Sequence, residues 1–202
     1  MNKQEVRSLI KGLINRTDCT DSLANQYIAL AEKNIQRGLR LPFMEKGIRL
    51  TGDASGSEAY EIPNDYIELV NIAADHGLLT RVSLDQLLRH PKTGEPKYFA
   101  RDRGYWRFRP FINESNPVVV TYYAELPSLV ADNDATVLSE IAPDLLAYTT
   151  ASLLCDYFVD DRKANFTQMA QEAFAALQQQ FYDQEISGGE TIMQPSYKDA
   201  EY

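Results

Sequence analysis

The sequence predicts an α+β fold: a helical bundle carrying an inserted, small, mostly antiparallel β-sheet with hairpins, followed by a flexible C-terminal tail. Apolar residues recur at helical spacing over about residues 3–39 and again over about 143–186. Between them, over about 41–125, short apolar alternations are broken by Gly, Pro and Asn. Helices at both ends with strands gathered in the middle point to α+β, read as one domain over 1–186 with a tail over 187–202.

The first helix places Val6, Leu9, Ile10, Leu13 and Ile14 on one face. A second starts near Ser22 with Leu23, Tyr27, Leu30, Ala31 and Ile35. Asp18, Thr20 and Asp21 are cap candidates between the two, and Gly38 with Pro42 marks the stop. Ile48–Leu50 and Ala59–Ile62 flank TGDASGSE, which predicts a hairpin with a flexible tip. IELVNIAA from Ile67 and LLTRV from Leu78 suit strands, and SLDQLLRH a short helix capped by Ser83. KYFARD and YWRFRP, joined at Arg103-Gly104, form the best hairpin in the chain, and VVVTYYAE from Val118 is its most strand-like run. Leu126-Pro127 then ends the sheet and a polar loop leads to Pro143, which suits the first turn of a helix with Asp144 at its positive end. That helix, apolar almost all round to Val159, predicts burial on most sides. A final helix, roughly Arg162–Ile186, stripes Phe166, Met169, Ala170, Ala173, Phe174, Leu177 and Phe181 against Gln and Glu.

Composition excludes several functions. A formal charge of -9 argues against a free-standing nucleic-acid binder, because duplex affinity rests on Lys and Arg displacing counterions. No run approaches the roughly 18 apolar residues of a membrane span, and the start MNKQEVRSLIKG has no apolar leader core. Cys19 and Cys155 show no CxxC spacing and read as reduced packing residues of a cytosolic protein. His76 and His90 lack ligand-spaced carboxylates or cysteines, so no metal, cofactor or catalytic group is expected. TGDASGSE lacks the Lys-Ser/Thr ending of a phosphate loop, and Asp160-Asp161 at a helix junction reads as capping.

Two segments carry candidate function. KYFARDRGYWRFR (97–109) interleaves five basic residues with five aromatics, a pattern that suits phosphate contact with base stacking. In a strand, however, Trp106 and Phe108 share one face while Tyr105, Arg107 and Arg109 share the other, as in a half-buried hairpin. With an acidic chain around it, subunit or partner contact through Arg101, Arg103, Trp106, Arg107 and Arg109 is the favoured reading, the two last arginines pairing with acidic surface of a neighbour. The tail SGGETIMQPSYKDAEY has Gly188-Gly189 and no stripe, yet Ile192, Met193, Pro195, Tyr197 and Tyr202 make it apolar enough to order on a partner.

The order of an N-terminal helical region, IPNDYIELV, the GEPKYFARD and YWRFRP hairpin, VTYYAELPSL, a short polar loop, IAPDLLAY and a long last helix resembles the head-to-tail adaptors of tailed bacteriophages over roughly residues 1–186. The resemblance implies a structural virion protein without chemistry. It implies a homo-oligomeric ring, twelve copies in the family, docked under the portal protein at the virion neck and offering a platform to a downstream tail or neck protein. DNA would pass through its channel without specific binding, during genome retention and ejection, and the chain would be made in the host cytoplasm. The C-terminal segment from Ser187 would be the portal-docking element. Other readings are a different neck or tail-completion protein, a nucleic-acid module using the 97–109 hairpin, and an enzyme with an unrecognised site.

Overall fold

The computed structural model describes residues 1–53 and 56–188, with side chains to Asp183. The chain divides into two compact units, a helical one of Met1–Ile35 with Leu129–Tyr202 and a β-rich one of Gln36–Ser128.

In the helical unit, α1 (Lys3–Ile14) begins at a reciprocal cap: Glu5 N–H donates to Asn2 Oδ1, and Asn2 N–H to Glu5 Oε2, both at 2.9 Å. Val6, Ile10 and Ile14 form its buried stripe. Thr20 caps α2 (Asp21–Gly38), its Oγ1 accepting from Leu23 N–H at 3.2 Å. Helix α4 (Val137–Ile141) lies inside the stretch expected to be a polar loop. Thr136 and Ser139 cap it reciprocally, and Ser139 Oγ also donates to the Met1 carbonyl at 2.7 Å. Helix α5 (Pro143–Phe158) has Pro143 in its first turn and buries Leu145, Leu146, Ala147, Thr150, Ala151, Leu154 and Cys155. Helix α6 (Lys163–Gly188) packs on it, with Ser152 and Thr167 hydroxyls bonded at 2.7 Å. At ~1.5 Å per residue, its 26 residues span about 39 Å. Phe166 and Leu177 are buried and the rest of the expected stripe is half-buried.

The β unit holds two four-stranded sheets rather than the single sheet expected. One has the order β1 (Glu45–Leu50), β8 (Val118–Ala124), β3 (Tyr66–Ala74), β4 (Gly77–Leu78). The other runs β2 (Ser57–Glu61), β7 (Tyr105–Ile112), β6 (Tyr98–Asp102), β5 (Thr80–Arg81). All pairs are antiparallel except β5 with β6. Ile72, Leu79, Phe99, Trp106, Phe108, Ile112, Val118, Val120 and Tyr122, drawn from both sheets, form one core.

Two expectations are corrected. The segments flanking TGDASGSE do not form a hairpin: Ile48 pairs with Val120 and Tyr60 with Trp106, in different sheets. Long β-rich runs from elsewhere in the chain offer both segments larger apolar faces than they offer each other. Gly52 lies so close to β7 that a Cβ there would collide with the Ile112 carbonyl. LLTRV is likewise two strands, β4 and β5, with Leu79 between them. Leu79 N–H donates to Ile72 in one sheet, and Thr80 N–H to Lys97, just before β6 of the other. Ser83 caps α3 (Leu84–Leu87) as expected.

Candidate functional site

The 97–109 segment forms the predicted hairpin, with Asp102 opposite Tyr105 and Arg103 in the left-handed region at φ 54°. Strand alternation sends Trp106 and Phe108 inward. Trp106, 1% exposed, meets Tyr66 edge-on at 5.6 Å between ring centres and Tyr122 at 6.5 Å. It is therefore a core residue, which corrects its expected place at a partner surface. Tyr122 in turn donates to Asp65 at 2.9 Å, and Lys46 reaches the other oxygen of that carboxylate at 2.7 Å. The Lys46 ammonium holds Asp65 below the usual carboxylate range, and burial raises the Tyr122 phenol.

The two outward arginines meet acids, but acids of their own chain. Arg107 Nε donates to Asp102 at 2.8 Å and its Nη1 to Glu58 at 3.2 Å. Arg109 Nη2 donates to the same Glu58 oxygen at 2.7 Å, and its guanidinium lies 4.5 Å from the Phe111 ring centre. Arg109 is only 3% exposed, against the open face expected for it. A charge that buried is held by a specific partner, and Glu58 across the sheet is that partner. Arg101 stacks 5.4 Å over Tyr66 and donates to the Arg103 carbonyl, and both Arg101 and Arg103 are exposed. Of the five residues expected at an interface, the structure thus leaves Arg101 and Arg103 in the open, half-covers Arg107, and withdraws Trp106 and Arg109. From the sequence, Glu58 falls at the end of the loop tip TGDASGSE. The alternation of SEAYE is its signal, since Glu58 lies within β2 rather than in a loop.

Charge divides between the units. The β unit holds 12 basic and 12 acidic residues, the helical unit 8 and 17, so the whole net charge of -9 sits with the helices. There, basic side chains fasten turns and helix ends. Arg162 makes four hydrogen bonds to the Asp160 carboxylate, one through its backbone N–H, two from Nε and one from Nη2, at 2.7–3.2 Å. It also donates to the Leu13 and Ile14 carbonyls, at 3.1 and 2.8 Å, where α1 ends. The Arg162 side-chain and backbone bonds to its carboxylate lower Asp160 to a pKa of about 2. Arg7 joins Asp132 at 2.8 Å, and Arg16 lies 4.4 Å over the Phe158 ring. Buried Glu32 accepts from Leu129 N–H at 3.1 Å. Cys19 and Cys155 are buried free thiols, raised by desolvation, as packing residues would be.

Among the described residues no group of three or more His, Cys, Asp and Glu could hold a metal ion, and no helix is long and apolar enough to cross a membrane. Ile192, Met193, Pro195, Tyr197 and Tyr202 lie outside the described residues. In comparisons with known proteins, the family described as SU10 adaptor protein matches residues 1–191. No curated protein matches the chain.

Proposed function

The chain belongs to the SU10 adaptor protein family of phage head-to-tail adaptors, and from that premise we propose that it is one subunit of a ring docked under the portal at the virion neck. The family is structural. The observation that carries the reading is the reach of the match, which takes in both units and not the β hairpin alone. In this reading the ring, of twelve copies by resemblance, extends the channel for genome retention and ejection and presents a platform to the next tail or neck component. The acidic helices suit a conduit past which DNA slides without being held. Internal pairing of Arg107 and Arg109, with Trp106 in the core, speaks against the hairpin as a nucleic-acid module. Arg101 and Arg103 remain as its candidate contact to a neighbouring subunit or partner. The segment from Ser187, with Ile192, Met193, Pro195, Tyr197 and Tyr202, is the proposed portal anchor.

Electron microscopy of the full chain mixed with its purified portal tests this. Rings capping the portal are expected, and deletion of residues 187–202 is expected to abolish docking while leaving the rest folded. Absence of any portal-dependent assembly would overturn the adaptor placement; unchanged docking of the truncated chain would remove the anchor.

A further inference from the structure

Copies of a unit with nine surplus negative charges repel least where they meet along uncharged surface. Helix α6 offers such a lane. Ala164, Gln168, Gln171, Ala175, Gln178 and Tyr182 are all exposed and follow one another at alternating steps of four and three, so they line one side of the helix without a charge. The two ends of the lane differ in shape. At its start lies an open groove of about 690 Å3, lined by Ala164, Thr167, Gln168 and Gln171 together with Asp160, Asp161 and Lys163. At its far end, past Leu177, no described residue is buried, and Tyr182 stands 60% exposed.

Beside the groove is a residue that nothing in its own chain rewards. Val159 ends α5 in the left-handed region, at φ 53°, which is unfavourable for a β-branched side chain, and it is 90% exposed. Tyr157, two residues earlier, is 56% exposed. Glycine or asparagine would close the helix at lower cost. An apolar side chain held under strain in solvent fits a contact made by another molecule.

Resting on the ring reading, we propose that neighbouring copies join head to tail through the α5–α6 hairpin, Tyr182 of one copy seating in the groove beside Val159 of the next. The phenol hydroxyl has an acceptor there in Asp161, which is exposed and has no hydrogen bond or ion pair among the described residues. Knob and groove are different surfaces of one helix. A heterologous contact of this kind propagates from copy to copy and closes as a ring when the rotation between copies closes, whereas the same surfaces paired reciprocally stop at a dimer.

The test is a pair of cysteines, Gln168→Cys and Tyr182→Cys, in the full chain mixed with purified portal and oxidised. Fourteen helical steps separate them, about 21 Å, too far for a bridge within one chain. The expected result is a ladder of disulfide-linked oligomers from the double variant and none from either single variant. Dimers without a ladder would overturn the head-to-tail arrangement. Portal-capping rings without any bridge would overturn this contact and leave the adaptor reading intact, whereas neither rings nor bridges would sink both. Val159→Gly supplies a readout that a merely structural role would not give: a higher melting temperature together with loss of self-association. Unchanged assembly in Val159→Gly and in Tyr182→Glu would exclude the two residues from the contact.

Discussion

The helical and β units use their charges in opposite ways. In the β unit basic and acidic residues balance, and two of the four arginines of its most basic hairpin, Arg107 and Arg109, are taken up by Glu58 and Asp102. In the helical unit the few basic residues pin helix ends and turns, as Arg162 does at Asp160 and at the last carbonyls of α1, and a surplus of carboxylates is left facing solvent. A run such as KYFARDRGYWRFR therefore says little about nucleic acid until its acidic partners are located. The chain's acidity, conversely, belongs to one unit and not to the surface as a whole.

The contrast can be broken most severely from the β side. Trp106→Ala removes a fully buried ring from the core shared by both sheets and is expected to cost about 3–5 kcal/mol. Urea unfolding followed by circular dichroism measures it; a loss under 1 kcal/mol would mean that the ring is not packed as described. Next in size is Glu58→Ala, which strands the buried Arg109 charge. The expected loss is about 2–3 kcal/mol, below that of a fully buried pair because Glu58 keeps some water. Trp106, the chain's only tryptophan, should report this loss by fluorescence. A double variant that also changes Arg109 to Met should recover much of it, whereas an ordinary surface pair would show neither the loss nor the recovery.

The smallest effect lies in the helical unit and depends on pH. The Asp160 pKa is about 2 in the fold against an ordinary 3.8. A depressed carboxylate pKa contributes stability that is fully present above the ordinary value and disappears as pH falls through the folded one. Melting temperatures of the native chain and of Asp160→Asn should therefore differ by a constant amount above pH 4 and converge toward pH 2. A gap that persisted at pH 2 would assign the effect to the shape of the turn and not to the charge.

How much of this could be read from the sequence follows the range of the interactions involved. Helix ends were legible because their signals are local: Thr20, Ser83 and Pro143 all act within a turn of where they sit. The 98–112 hairpin was legible for the same reason, since its two strands meet across Arg103-Gly104. Strand partners were not. Residues Ile48 and Val120 pair across most of the β unit, and no local pattern announces that TGDASGSE separates two sheets instead of turning one strand onto the next. Helix α4 escaped notice because five residues are too few to show a period. Burial of Arg109 escaped because its partner, Glu58, lies 51 residues away. Of the interface residues read from sequence, Arg101 and Arg103 at the turn are exposed, whereas Trp106 and Arg109, whose fate depends on distant packing, are buried.

Leu79 joins the two sheets by consecutive amides, its own bonded to Ile72 and that of Thr80 bonded to Lys97. Neither sheet can open at this point without loosening the other. Hydrogen exchange should therefore release these two amides together, in the same opening that exposes the Trp106 core, and the β unit should melt as one cooperative block. The crossing also has an evolutionary side. One residue inserted between β4 and β5 would turn the next strand over, so substitutions can accumulate here while length cannot change.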